Sequence, residues 1–85
     1  MSIYDLFIEN DQQAMALALQ QAELGMFTTT PNPRVGCVIV RDGRIIGAGF
    51  TQPPGGNHAE IQAMHDAQQR GNDVRGATAY VTLEP

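Results

Sequence analysis

The feature that most constrains this chain is a pair of apolar runs separated by an Asp-Gly dipeptide. Residues 35–40 are almost wholly apolar, and residues 45–50 combine apolar side chains with glycine. The connecting Asp42-Gly43 is typical of a two-residue hairpin turn, because both residue types tolerate the left-handed backbone that such a turn needs. The sequence therefore predicts a β-hairpin whose first run is a central strand covered on both faces.

Two helices and one further strand are predicted around this hairpin. Residues 11–24 are strong helix formers after the N-cap candidates Asn10 and Asp11, and the predicted core-facing stripe consists of Met15, Ala18, Leu19 and Ala22. A second helix is predicted over residues 58–70, and a strand over residues 77–83. This order indicates the N-terminal part of a three-layer αβα sandwich with a mixed sheet. We expect the strands joined by the second helix to pair in parallel through a right-handed crossover.

Length and composition limit the class of protein. A chain of 85 residues forms at most one small domain. The net charge is −4 and the five basic residues are scattered arginines, which argues against a nucleic-acid groove. No secretory signal precedes the first helix and no apolar segment approaches the ~18 residues of a membrane span, so we expect a cytoplasmic protein without a membrane partner. Low charge and an incomplete sheet edge favour association into a homo-oligomer.

The single cysteine, Cys37, lies inside the first predicted strand. A strand core offers neither exposure nor a cation to stabilise a thiolate. We therefore interpret Cys37 as a small buried apolar side chain rather than a nucleophile or a metal ligand.

The residues with the clearest chemistry open the second helix, in Gly55-Gly56-Asn57-His58-Ala59-Glu60. A neutral imidazole can ligate zinc, and a carboxylate two residues later can move protons without ligating. Side chains two apart on a helix diverge, but both can face a site at its N-terminal end, where the first-turn amides favour an anion. Taken singly, His58 could instead be an N-cap residue, and Glu60 an acid that complements the helix dipole.

A second polar candidate is Asn32, which stands between Pro31 and Pro33. The two prolines restrict the backbone on either side and bias Asn32 toward an extended conformation, so its amide is presented at a fixed angle. An ordinary turn asparagine is the alternative interpretation. His65 has no acid or thiol at ligand spacing and is expected to be a surface residue.

These motifs together resemble a known family. The chain is similar to the N-terminal pyrimidine deaminase domain of the bifunctional riboflavin-biosynthesis deaminase/reductase, within the cytidine-deaminase-like superfamily. His-Ala-Glu is shared across that superfamily. The riboflavin branch is indicated by Pro31-Asn32-Pro33, by Gly55-Gly56 before the histidine, and by Val81-Thr82-Leu83-Glu84-Pro85. The resemblance covers nearly the whole chain.

The resemblance implies a zinc enzyme in which His58 ligates the metal, Glu60 shuttles protons and Asn32 contacts the sugar or base of the substrate. The implied substrate is 2,5-diamino-6-ribosylamino-4(3H)-pyrimidinone 5′-phosphate, which reacts with water and loses its 2-amino group. In the family two cysteines that follow the position of Pro85 complete the zinc ligands, and a reductase domain binds NADPH. Residues 1–85 are thus expected to be the N-terminal portion of the zinc-binding domain, without the reductase, and to be inactive alone.

Two alternatives stay open at the level of sequence. One is a deaminase for cytidine, deoxycytidylate, guanine or tRNA adenosine, since these enzymes share His-Ala-Glu. The other is a non-catalytic remnant that serves as a structural or dimerising module, which the missing thiolates support.

Overall fold

The predicted hairpin is present. In the computed structural model, which describes residues 2–24, 34–51 and 58–84, strand β1 (Arg34–Arg41) and strand β2 (Arg44–Phe50) pair antiparallel. Asp42 and Gly43 join them with φ of 52° and 77°, the left-handed pair that a type I′ turn requires. The turn sets the pairs next to it, Arg41 with Arg44 and Val40 with Ile45, and an irregularity between Ile39 and Val40 shifts the register beyond them.

The remaining elements also lie close to their predicted positions. A short 3-10 helix (Ile3–Asp5) precedes helix α1 (Asp11–Glu23), whose N-cap Asn10 accepts a hydrogen bond from the backbone N–H of Gln13 at 2.8 Å. Helix α2 (Ala59–Gln69) follows the hairpin, and strand β3 (Thr78–Glu84) comes last. In the described part of the chain, no helix is long and apolar enough to cross a membrane.

The pairing of β3 differs from the prediction. The described strands lie in the order β2-β1-β3, and β3 pairs antiparallel with β1. Strands β2 and β3, which α2 joins, run in the same direction but are separated by β1. The prediction that they pair in parallel was therefore wrong, and no parallel pair that would make the sheet mixed is found among the described strands.

Side chains that close the outer edge of β2 give the physical reason. The backbone N–H of Ala48 donates to the Asp66 carboxylate at 3.0 Å, and the side-chain amide of Asn72 donates to the carbonyl of Ile46 at 2.9 Å. These two groups occupy the positions that an incoming strand would use for its own hydrogen bonds. Strand β3 consequently pairs on the other side of β1.

The two helices cover opposite faces of the sheet and confirm the αβα layers. On one face Val38 is fully buried in a cluster with Ile45 of β2 and with residues of α1 and the segment before it, namely Ile8, Ala14, Leu17 and Ala18. On the other face Cys37 and Ile39 pack against Ala59 and Ala63 of α2. Neighbouring residues of a strand point to opposite faces, so β1 is buried from both sides, as predicted for a central strand.

The buried face of α1 is only partly the predicted one. Ala18 and Ala22 are buried as expected, together with Ala14 and Leu17, whereas Met15 and Leu19 are 38% and 40% exposed. A Cβ atom on Gly36 would collide with the backbone of α1 at Ala18 and Ala22. The helix therefore lies almost in backbone contact with β1 at Gly36, where Ala18 and Ala22 fit, and the bulkier Met15 and Leu19 are turned toward solvent.

A polar cluster fastens the N-terminal segment to α2. The Tyr4 hydroxyl donates a hydrogen bond to the Asp66 carboxylate, which also accepts from the Arg70 guanidinium at 3.1 Å. The Arg70 guanidinium lies 3.4 Å from the centre of the Tyr4 ring, within the range of a cation–π contact. Asp66 thus joins the 3-10 helix, α2 and the edge of β2.

The close approach of α1 to β1 predicts that Gly36→Ala will be strongly destabilising. The added methyl group meets helix backbone rather than a movable side chain, so we expect a loss of about 3 kcal/mol in the free energy of unfolding, the upper end of overpacking costs. Urea denaturation measures it. The control Ala79→Val adds carbon atoms at an exposed position of β3 and should change stability little. Equal stability of Gly36→Ala and wild type would contradict the packing described here.

The Tyr4 cluster predicts an alkaline loss of stability. Burial, with the hydrogen bond and charge of Asp66, raises the pKa of Tyr4 from 10.0 to about 12. The unfolded chain loses this proton at lower pH than the folded chain, so the stabilisation is complete below pH 10 and disappears as pH rises toward 12. In Tyr4→Phe we expect a flatter dependence of the melting temperature over this interval. A variant whose melting temperature falls as steeply as that of wild type would refute the assignment.

Candidate functional site

Three strand termini lie at one end of the sheet. Arg34, the first residue of β1, is opposite Glu84, the last residue of β3. On the other side of β1, Gly36 is opposite Phe50, the last residue of β2. The amino end of the central strand thus lies between the carboxyl ends of its two neighbours. Asn32 falls outside the described residues, two positions before Arg34, and the proposed role of its side chain stays a prediction.

The N-terminus of α2 lies at the same end. A Cβ atom on Gly49 would be 2.7 Å from the carbonyl oxygen of Ala59 and 2.6 Å from the backbone nitrogen of Ala63, whereas one on Gly47 would collide further along α2, at Ala63 and Ala67. The helix therefore runs opposite to β2 and begins beside its carboxyl end. This packing brings His58 and Glu60 to the end of the sheet where β1 starts and β3 finishes.

His58 occupies the N-cap position of α2 without using its side chain as a cap. Its backbone is extended, with φ of −67° and ψ of 159°, and its carbonyl accepts a hydrogen bond from Gln62 N–H at 3.0 Å. The imidazole makes no capping hydrogen bond and is exposed. The N-cap interpretation is thus correct for the backbone alone, and the ring nitrogens remain available to a ligand.

Glu60 lies in the first turn of α2 and is exposed. Burial raises the pKa of the Cys37 thiol to about 11, and the negative charge of Glu60 contributes in the same direction. The carboxylate therefore acts electrostatically on the central strand while staying accessible from solvent. An acid in this place benefits from the positive end of the helix dipole and remains free to exchange protons with water.

Cys37 is buried and unpaired by any disulfide, as expected of an apolar core residue. Its side chain is packed against Ala59 and Ala63 of α2 and is not exposed, whereas a reactive thiol must be accessible. The packing of Cys37 is that of a small apolar core residue.

The donor chemistry of the described residues fits zinc in part. His58 is exposed and makes no capping hydrogen bond, so its imidazole can reach a metal, but no group of three or more His, Cys, Asp and Glu side chains that could hold one occurs among residues 2–24, 34–51 and 58–84. Catalytic zinc sites use three protein ligands. The described part of the chain therefore supplies one candidate ligand, His58, and an acid two residues further on, Glu60.

His65 is exposed, as predicted, and lies seven residues after His58 on α2. It lines a cavity of about 220 Å³ along the edge of β2, together with Ala48, Gly49, Phe50, Gln62, Asp66 and Gln69. The sequence interpretation missed Asp66 in that region and Thr51 near the site. A hydroxyl residue directly after a strand and before Pro-Gly residues was the available signal for Thr51.

Comparison with known proteins identifies the family in which these residues occur. Residues 8–85 match the model of the cytidine and deoxycytidylate deaminase zinc-binding region. The riboflavin biosynthesis protein RibD of Escherichia coli is 56% identical over 88% of this chain, which spans 20% of that protein. A diaminohydroxyphosphoribosylamino-pyrimidine deaminase of Buchnera aphidicola is 49% identical over 88% of the chain, which spans 49% of that relative.

A solved structure shows the same fold. The diaminohydroxyphosphoribosylaminopyrimidine deaminase/5-amino-6-(5-phosphoribosylamino)uracil reductase of Thermotoga maritima superposes with a TM-score of 0.77 at 46% identity. The alignment covers 84% of this chain and 20% of that protein. The chain thus spans half or less of these relatives. It belongs to the family of cytidine and deoxycytidylate deaminase zinc-binding regions.

Proposed function

We propose that the protein carrying these residues deaminates 2,5-diamino-6-ribosylamino-4(3H)-pyrimidinone 5′-phosphate in riboflavin biosynthesis. The observation that carries the proposal is the common position of His58 and Glu60 at the start of α2, beside the amino end of β1 and the carboxyl end of β3. Relatives with 56% and 49% identity are named for riboflavin biosynthesis and for this pyrimidine deaminase, which supports this substrate over other pyrimidines.

In this proposal the two residues of α2 have separate tasks. His58 would hold the family's zinc ion, which when bound would lower the pKa of a water molecule toward neutrality and so supply the nucleophile. Glu60 accepts one proton from the attacking water and passes it to the ring nitrogen, and then moves the proton of the added hydroxyl to the amino group, which leaves as ammonia. The reaction consumes one water and releases one ammonia. Glu60 can relay both protons because its carboxylate is exposed and is not needed as a ligand.

Asn32 is proposed to contact the sugar or base of the substrate. It is covalently tied to Arg34, whose backbone is held opposite Glu84 at the same end of the sheet. The flanking prolines limit the directions in which its amide can point. Small nucleotides rather than nucleic-acid chains suit the net charge of −4. A cytoplasmic location, assembly into a homo-oligomer and a fused NADPH-dependent reductase also stay proposals.

A non-catalytic structural module is the second candidate. It is favoured by one observation, that the described residues contain no three-donor metal group. A deaminase of another nucleoside or nucleobase remains the rival within enzymes, because His-Ala-Glu is common to them. Activity on the pyrimidinone nucleotide, compared with activity on cytidine, separates these three functions directly.

We predict that the full natural chain releases ammonia from the pyrimidinone nucleotide and not from cytidine, and that Glu60→Gln retains zinc but loses about 10²–10⁴-fold in turnover. The amide cannot accept the proton, whereas the ligand His58 is untouched. Ammonia release and metal analysis measure the two effects. Glu23→Gln, at the far end of α1, is the control and should keep its activity. Near-normal turnover of Glu60→Gln would exclude it as the proton carrier.

We also predict that residues 1–85 expressed alone hold well below one equivalent of zinc after dialysis. His58 is one ligand where a catalytic site needs three. Metal analysis of the purified polypeptide measures the content, and we expect no detectable deamination. The residual zinc should fall in His58→Ala and stay constant in His65→Ala, which removes an imidazole elsewhere on α2. One tightly held equivalent in the wild-type polypeptide would overturn this prediction.

A further inference from the structure

Thr51 makes an unusual junction where β2 ends. Its backbone N–H donates to the carbonyl of Val35 at 2.9 Å, as a regular antiparallel pair requires. In such a pair the N–H of Val35 would in turn donate to the carbonyl of Thr51. Instead it donates to the Thr51 side-chain oxygen Oγ1 at 2.9 Å, and the same hydroxyl lies 3.2 Å from the Val35 carbonyl as a donor.

The hydroxyl thus takes the place of a backbone carbonyl. A strand that ends normally leaves its partner's next N–H without an acceptor, but here that N–H is satisfied although β2 has already finished at Phe50. The backbone carbonyl of Thr51 is released from the ladder, so the chain can leave the sheet while Val35 stays fixed. Val35 also packs against the core cluster on the α2 face, with Cys37 and Ala59.

The position of this junction relates it to the site. Val35 follows Asn32 by three residues, and Thr51 precedes His58 by seven. The hydroxyl therefore ties the start of β1 to the end of β2, the strand on which the N-terminus of α2 is packed at Gly49. Each of the three hydrogen bonds ends on Val35, so the group most directly fixed is the amino end of β1.

We propose that Thr51 is a positioning residue of the deaminase site, whose hydroxyl fixes the start of β1 against the end of β2, beside which α2 begins. The assignment rests on the proposed function for its kinetic consequence. Since Thr51 acts on the Asn32 side of the junction, its loss should weaken substrate binding more than it affects the metal or the chemical step. A purely structural role would lower stability without changing the KM of the folded enzyme.

Thr51→Val tests the proposal in the full natural chain, because valine keeps the shape and removes both the donor and the acceptor. We expect the KM for the pyrimidinone nucleotide to rise about tenfold, with kcat and zinc content nearly unchanged. Thr51→Ser keeps a hydroxyl within reach of Val35 and should restore the wild-type KM. Thr78→Val makes the same chemical change at an exposed position at the opposite end of the sheet and should have no effect.

Two kinetic results would overturn the inference: an unchanged KM in Thr51→Val, or an equal rise in Thr51→Ser. Amide hydrogen exchange at Val35 tests the junction without turnover. It should be faster than wild type in Thr51→Val alone, and unchanged exchange would also overturn the inference. If the wild type shows the expected amide exchange at Val35 but does not deaminate the nucleotide, the proposed function is refuted. The positioning role of Thr51 at that site is then refuted as well.

Discussion

The close approach of both helices to glycine-bearing strands determines the geometry of the whole chain. Gly36 lies against the backbone of α1 at Ala18 and Ala22, and Gly49 lies against the first turns of α2. At these contacts a single methyl group would force helix and strand apart, so each helix has one favourable height and direction over the sheet. Because α2 is held at Gly49, its first residue is fixed beside the carboxyl end of β2. The place of His58 thus follows from packing rather than from the histidine itself.

Polar side chains then determine on which side of the β1-β2 hairpin strand β3 pairs. Asp66 and Asn72 satisfy backbone groups on the outer side of β2, while the same Asp66 binds Tyr4 and Arg70. A carboxylate that serves a strand edge, a phenol and a guanidinium at once can do so only in one arrangement of the three elements. The cluster therefore closes the edge of β2 and orients the N-terminal segment with a single group. It leaves the side of β1 away from β2 for β3.

The elements themselves could be predicted from local sequence, because Asp42-Gly43, the N-cap Asn10 and the apolar runs act within a few residues of where they stand. The buried face of α1 could not be predicted. Met15 and Leu19 have the spacing of buried residues, but Gly36 lets the helix approach the strand so closely that alanines occupy the contact instead. The strand with which β3 pairs depended on Asp66 and Asn72. Their side chains bond to β2, and no local sequence pattern predicts these contacts. For the site, His58 and Glu60 stood out by chemical type, whereas Thr51 acts through a hydrogen bond 16 residues away in the chain.

The separation of tasks within α2 also explains why the proposed catalytic pair is two residues apart. The residues that bury the helix, Ala59, Ala63 and Ala67, follow a four-residue spacing and take up its inner face. His58 precedes that face as the N-cap, and Glu60 follows its first member, so both stay exposed while Ala59 between them is buried against Cys37. A bulkier residue at position 59 would lift the N-terminus of the helix from Gly49 and move both side chains together. The small central residue of His-Ala-Glu therefore helps to position His58 and Glu60, since Ala59 lets the first turn of α2 pack closely on the sheet.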